Sequence, residues 1–457
     1  MPRLWITLAS LLLVLGLLLS SGGENARGDR ADLEAPAAVG EVLVRLTALA
    51  VGLSDDTLAS RLDADVVDRL KDLYVVRLKL RGGEAVENAI ERLERTPMVV
   101  SAEPNLLLKH SMLPNDPYYT AQSSYLGLIR APEGWDIELG DDSVLVAVLD
   151  SGVEVEHPDL KGQIWTNPYE VGGNAEDDDN NGCIDDFHGC SFVSVGSADP
   201  ECETPTSGNV DDDNGHGTFV AGIIAATSNN ALGISGVAPG VRVLPVKILD
   251  CKGGGTAMDA SQAILYAARQ GARVANISFG ADGESQTLTN AMREAHDRYG
   301  MVIIAATGNE GVARVSFPAR LPYTFAVASS GTATNEDAHS PFSDWGPEVK
   351  FAAPGQNIVS TLPRRFCEHG WLCVTDEPYA IASGTSFAAP LVSGLAALVV
   401  SKYPNLSPDG VRQIIASTAE NLPDGAAPNW DGAGRVRVAQ ALGLKRFSIG
   451  TAGVSKQ

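Results

Sequence analysis

The stretch Gly384-Thr385-Ser386-Phe387-Ala388-Ala389-Pro390, followed by the apolar run from Leu391 to Val400, decides how the chain is read. A turn of small residues delivers one serine at the start of a segment that reads as a buried helix, broken before Pro404. Taken alone, such a serine is an N-cap. Two other stretches change that reading. Val146-Ala147-Val148-Leu149-Asp150-Ser151-Gly152 ends an apolar strand on an aspartate. Asn214-Gly215-His216-Gly217-Thr218 sets a histidine at the start of another apolar helix. Together they supply a nucleophile, a base and a group to orient the base, in the chain order Asp, His, Ser.

Around these stretches strands and helices alternate. Strands are read at 144–149, 241–249, 273–279, 301–306 and 324–329. Helices are read at 216–227, 257–270, 286–299, 384–402 and 408–418, with a last short one over 434–442. Strand–helix–strand units of this length imply an α/β fold, a mostly parallel sheet with helices on both faces. Such sheets place their sites at the carboxyl ends of strands. Asp150 ends one strand, and Gly308-Asn309 follows another.

The chemistry follows from the residue types. A serine hydroxyl is too weakly acidic to attack an amide unaided, so Ser386 needs a base within hydrogen-bond reach. His216, with an ordinary pKa near neutrality, accepts that proton and returns it to the leaving amine. Asp150 fixes the imidazole tautomer and stabilises the imidazolium. Asn309, in the glycine-rich turn Thr307-Gly308-Asn309-Glu310-Gly311, is placed to donate to an oxyanion together with the Ser386 backbone N–H.

These motifs carry a family resemblance. Val-Leu-Asp150-Ser-Gly, Asn-Gly-His216-Gly-Thr and Gly-Thr-Ser386-Phe-Ala-Ala-Pro, with Gly308-Asn309 between the last two, resemble the subtilisin-type (subtilase) serine endopeptidases of thermitase-like bacterial type. The resemblance covers about residues 113–445. It implies a cleft in which Gly253, Gly254 and Gly255 pair with an extended substrate. Ser278, Phe279, Gly280, Ala305, Ala306 and Gly308 would wall the pocket for the residue before the cut. It also implies a calcium site at Asp116, Asp159 and Asn230 with the carbonyls of Ser228, Leu232 and Ile234. The competing reading is a catalytically silent subtilase fold that only binds peptides. An α/β-hydrolase would need a different elbow motif and a different order of triad residues.

A second calcium expectation comes from the residues themselves. Asp177, Asp179 and Asn181 alternate ahead of Gly182, with the Cys183 carbonyl and then Asp185 or Asp186 to close the shell, an EF-hand-like spacing. The neighbouring run Asp211-Asp212-Asp213 lacks the glycine turn and reads as solvated.

At 457 residues with a net charge of −23, the chain is long enough for one large core and a smaller domain. Its charge excludes nucleic acid as a partner. Residues 1–23 have a signal-peptide layout, with Arg3, the leucine run from Leu11 to Leu19, and Ser20-Ser21-Gly22-Gly23 for cleavage. An uncleaved anchor is the alternative. The mature protein is then expected outside the membrane, secreted or periplasmic, and monomeric. Six cysteines fit disulfides in an exported chain. Cys367 and Cys373 read as closing a local hairpin within the insertion 364–377. Two of Cys183, Cys190 and Cys202 can pair within their loop; connectivity is otherwise open, with a plain buried thiol as one reading of Cys251.

Residues 41–110 form a small α+β module, with strands at 42–46 and 72–80, a helix at 84–95 and a final strand at 106–108. It resembles the subtilase propeptide, which implies an intramolecular inhibitor and folding template. The expected division is a signal peptide over 1–23, a propeptide over 24–112 and a peptidase domain over 113–457. The cut would fall between Lys109 and Pro114.

Overall fold

The structure is a computed structural model of the protein. It describes residues 37–106, 113–194, 202, 206–332, 335–368, 373–374, 377–423 and 427–443. The signal-peptide reading, the strand at 107–108 and the prosegment cut at 109–114, except its last two positions, lie outside these. The chain divides into two compact units, one on each side of residues 107–108.

The first unit runs β1 (Ala37–Leu46), α1 (Asp55–Leu62), β2 (Ala64–Leu70), a short 3-10 turn at Lys71–Leu73, β3 (Val75–Leu80), α2 (Val86–Glu94) and β4 (Val99–Leu106). Its four strands form an antiparallel sheet in the order β2-β3-β1-β4. Alternation puts Val42, Val44, Val76 and Leu78 on the buried face, where they meet Leu58, Leu62, Ala89 and Leu93 of the helices. Sequence reading misses α1 and β2. The helix has only eight residues, started by the Ser54 side chain, which accepts from Thr57 N–H. The strand is an edge strand carrying Asp65, Asp68 and Arg69. Charge suits an unpaired edge but hides the apolar period. The final strand begins earlier than expected, at Val99.

The second unit opens with α3 (Tyr119–Leu126) and α4 (Ala131–Trp135), then β5 (Leu145–Asp150), β6 (Cys190–Ser191) and α5 (His216–Ala225). It continues with β7 (Arg242–Lys247), α6 (Ala257–Arg269), β8 (Val274–Ile277), α7 (Gln286–Tyr299), β9 (Val302–Ala306), β10 (Thr324–Ser330) and β11 (Val349–Pro354). A hairpin of β12 (Ile358–Thr361) and β13 (Tyr379–Ala382) brackets α8 (Arg364–Glu368), and α9 (Thr385–Lys402), α10 (Pro408–Thr418) and α11 (Val438–Ala441) complete it.

Seven strands pair in the order β11-β10-β9-β8-β5-β7-β6, every pairing parallel. The strands are buried on both faces, which is why they read as near-continuous apolar runs. One face packs against α5 and α9, the other against α6 and α7. The chain order turns back on itself at β5, so Asp150 sits at the strand end where such sheets bind ligands. Helix α9 is apolar all round because β8, β9, β10 and β11 cover one side and α5 another.

Three disulfides join Cys183 to Cys190, Cys202 to Cys251 and Cys367 to Cys373. The two local pairings match the sequence reading. Cys251 does not: it is bridged, not free, and its partner is 49 residues away. The loop so closed contains His216. Chain entropy assigns a closed loop of this length about 4 kcal/mol. Replacing Cys202 and Cys251 by serine in a Ser386→Ala background should therefore remove roughly 2–4 kcal/mol of stability. Denaturant unfolding of the two chains side by side checks this.

Candidate active site

Asp150 is fully buried at the end of β5. Its Oδ1 and Oδ2 lie 2.8 and 3.0 Å from His216 Nδ1, and its Oδ1 also accepts from Ser151 N–H. An ionised carboxylate can only accept, so Nδ1 carries the proton and Nε2 is left as the basic nitrogen. Burial lowers the His216 pKa, but the charge and hydrogen bond of Asp150 and the charge of Asp212 outweigh it. The net direction is upward from the ordinary 6.5. An enzyme that needs neutral His216 should then show an acid limb of kcat/KM above pH 6.5, activity rising as pH increases through it. A pH–rate profile measures this directly.

The close approach of α5 to β5 depends on Gly217. A Cβ there would run into the Gly152 carbonyl oxygen and the Asp150 side chain. Behind the helix start stands Asp212. It is fully buried, not solvated as its acidic run suggests. Its oxygens accept from Ser151 Oγ, from the N–H groups of Asn214, Gly215 and Thr218, and from Thr218 Oγ1, all at 2.7–3.1 Å. Ser151 Oγ in turn accepts from Gly217 N–H. One carboxylate thus caps α5 and ties it to the residue after Asp150. The adjacent Asp213 pairs with the buried Lys247 at 2.5 Å.

Ser386 lies in the first turn of α9, next to Phe387, whose ring sits 5.5 Å from that of His216. The Ser386 hydroxyl donates to the Ser278 carbonyl at 3.1 Å, and the Ser278 hydroxyl donates to the Ser386 carbonyl at 2.9 Å. That carbonyl is free because Pro390, four residues on, has no N–H to offer it. Asn276 Nδ2 donates to Ser278 Oγ, and Ser393 Oγ donates to Asn276 Oδ1. A buried polar chain therefore runs from the end of β8 into α9 and holds the serine turn in place.

Asn309 follows β9. Its side-chain oxygen accepts from Thr385 N–H at 2.8 Å and from Thr385 Oγ1 at 3.0 Å. A backbone N–H can only donate, which fixes the amide orientation. Its Nδ2 is then turned to the Gly384 side, where an added Cβ would sit 3.7 Å from it. The turn tolerates no side chain at Gly308, with φ +115° and the Asp344 carboxylate where a Cβ would go. Asp344 braces this turn by accepting from the N–H groups of Glu310 and Val312. Asn309→Ala should lower kcat by about 10²- to 10³-fold with little change in KM. Steady-state kinetics on a peptide substrate would show it.

The expected cleft residues are partly gathered. Gly253 and Gly255 face Phe279 and Gly280 across a cavity of about 280 Å³, with Leu249 and Leu288 on its walls. Gly254, Ser278, Ala305, Ala306 and Gly308 fall outside its lining. Ala305 and Ala306 are buried in β9, and Ser278 belongs to the polar chain above.

Asp116, Asp159, Asn230 and Ile234 converge. Asp116 accepts from Asn229 and Asn230 N–H and from Ser235 Oγ. Asp159 accepts from Asn230 Nδ2 and Ile234 N–H. Burial, with the charge of Asp116 adding to it, pushes the Asp159 carboxyl up to about 6. Two carboxylates crowded this way fit a divalent cation, once the Asn230 amide turns its oxygen inward. Ser228 and Leu232 lie in the same turn; Leu232 N–H donates to Asn230 Oδ1.

The loop before β6 holds the other expected ligands, with Asn181 N–H donating to Asp177 and Asp179. Asp177 and Asp179 stay together, joined by Glu170, which sequence reading did not single out. Asn181 is engaged by Cys183 N–H and Asp186. Asp185 accepts from Gly173 N–H, and Asp186 is buried against Tyr266 of α6. Cys183 is buried in its disulfide.

Comparison with known proteins agrees with this architecture. Residues 141–434 match the subtilase family, peptidase S8, and residues 30–105 match the fervidolysin N-terminal prodomain. The chain is 37% identical over 355 residues to a thermophilic serine proteinase of Bacillus sp. (strain AK1), covering 78% of this chain and 75% of that one. It is 36% identical to thermitase of Thermoactinomyces vulgaris over 72% of this chain and 99% of the relative. A solved protease structure from Pseudoalteromonas arctica PAMC 21717 aligns with a TM-score of 0.57 at 27% identity, covering 72% of this chain and 99% of that one. The chain belongs to the subtilase family: it is a subtilisin-type serine proteinase with an N-terminal prodomain.

Proposed function

We propose that the protein is a secreted endopeptidase made as a self-processing zymogen, with Asp150, His216, Ser386 and Asn309 as its working groups. Substrate lies extended along Gly253–Gly255, held by backbone hydrogen bonds, with one side chain entering the adjacent cavity. Ser386 Oγ rotates from the Ser278 carbonyl toward His216 and attacks the scissile carbonyl carbon. Its proton passes to His216 Nε2. The oxyanion takes hydrogen bonds from Asn309 Nδ2 and from the Ser386 N–H, one of the unpaired donors of the first helical turn. His216 then protonates the leaving amine, and water repeats the cycle on the acyl ester.

The observation that carries this reading is the 2.8 Å contact of buried Asp150 with His216 Nδ1, beside the serine turn of α9. The first 23 residues act as the export signal, and residues 24–112 as an inhibitor removed by cleavage between Lys109 and Pro114. Calcium bound by Asp116, Asp159, Ser228, Asn230, Leu232 and Ile234 would neutralise the two carboxylates and stiffen that turn, outside the chemical steps.

The test is the intact mass of the secreted product, with reaction of a serine-directed phosphonylating probe. The expected result is a product shortened by about 110 residues, the span the proposed cut assigns, that takes up one probe at Ser386. A full-length, unreactive product would favour the peptide-binding reading.

A further inference from the structure

One buried carboxylate beside the cleft takes no part in the chemical steps. Asp250 lies three residues beyond the end of β7 and opens a tight turn. Its Oδ1 accepts from Lys252 N–H at 2.9 Å and from Gly254 N–H at 2.8 Å. Its own N–H donates to the Gly254 carbonyl at 2.8 Å, and its carbonyl accepts from Gly253 N–H at 2.9 Å. Both backbone groups of Gly254 are therefore engaged by one residue.

The flanking glycines differ. Among the described residues, no hydrogen bond reaches the Gly253 carbonyl, the Gly255 N–H or the Gly255 carbonyl. All three glycines are exposed, yet the cavity is lined by Gly253 and Gly255 and not by Gly254. Both ends of this edge are fixed. Thr256 N–H donates to Asp259 Oδ2, and Thr256 Oγ1 accepts from Asp259 N–H, the box that starts α6. At the other end Asn214 Nδ2 donates to the Cys251 carbonyl at 3.1 Å, while Asn214 Oδ1 accepts from His216 N–H at 3.3 Å. The edge is thus pinned to the loop that carries the base.

We propose that Asp250 is the positioning residue of the substrate edge: by engaging Gly254 it leaves Gly253 and Gly255 as the two residues that hydrogen-bond the peptide before the cut. The sequence reading spreads this pairing over all three glycines; the turn removes the middle one. Three consecutive glycines lose more conformational freedom on ordering than any other edge. A carboxylate that accepts two backbone N–H groups orders them before substrate arrives, so less of that cost falls on binding. The proposal rests on the substrate path given under the proposed function.

The test measures kcat/KM of the secreted enzyme on two esters that share the residue before the cut, one a four-residue peptide and one a single amino acid. Only the longer ester can reach Gly253 and Gly255. If the parent turns over both equally well, the substrate path itself is wrong and the proposal falls with it. Where the parent prefers the longer ester, Asp250→Ala should lower kcat/KM for that ester by about tenfold, the factor carried by one or two weakened hydrogen bonds. The single-residue ester should stay within about twofold of the parent. Asp250→Asn, which keeps an accepting oxygen, should stay near the parent on both. An equal fall on both esters would mark Asp250 as a purely structural residue, and no fall on either would deny it any role; each result overturns the proposal. Should Asp250→Ala not mature, Asp250→Glu decides in its place. It keeps the charge but carries the oxygen one carbon further, so the longer ester alone should suffer.

Discussion

Ser386→Ala lowers turnover of a peptide substrate by about 10⁶-fold and leaves the prosegment attached to the secreted chain. Nothing near Ser386 can replace its oxygen. Thr385, the adjacent hydroxyl, is committed to Asn309 Oδ1 and the Gly308 carbonyl. Ser278 Oγ is committed to the Ser386 carbonyl. Removing the hydroxyl costs only its single hydrogen bond to the Ser278 carbonyl, so the fold should survive and melting should shift little. The proposed oxyanion donors remain, leaving a residual rate about 10³-fold above water at most, of the order seen when such donors act alone. Single-turnover kinetics with the prosegment supplied separately distinguishes lost chemistry from lost maturation. A variant that still processes itself would show that another residue is the nucleophile.

Asp150→Asn is the second large effect, about 10⁴-fold in kcat. The contact with His216 Nδ1 would survive in shape, but its meaning would invert. An amide presenting N–H to Nδ1 forces the proton onto Nε2, so the base faces away from Ser386. The upward pull of Asp150 on the His216 pKa also disappears, while burial still pushes it down. The surviving activity should therefore have its acid limb displaced to lower pH than in the parent. Activity regained at high pH, without that displacement, would point to lost folding instead. Asp150 is buried and its Oδ1 also accepts from Ser151 N–H, so the asparagine must keep its oxygen there.

The residues of the proposed triad stood out in the sequence because each sits in a short local pattern at the end of an apolar run. A strand ending in Asp150, and helices starting at His216 and Ser386, follow from period and breaker residues. The parallel sheet was legible for the same reason. What escaped depends on distant partners. Asp212 looks like one of three surface acids, and only the approach of Ser151 and Thr218 buries it. Cys251 looks unpaired because its partner lies across the His216 helix. Glu170 carries no spacing signal, and it meets Asp177 and Asp179 only because the loop folds back. The edge strand β2 was hidden by the charges that protect it from pairing.

Pro390 has a consequence for anyone engineering a hardier enzyme. Pro390→Ala is the change a helix-idealising scheme would choose first, since it restores one rung of the helix ladder. The restored N–H would claim the Ser386 carbonyl and displace the Ser278 hydroxyl that now holds it. The variant should melt higher and turn over more slowly. A screen that ranks variants by heat tolerance alone would therefore promote a poorer catalyst.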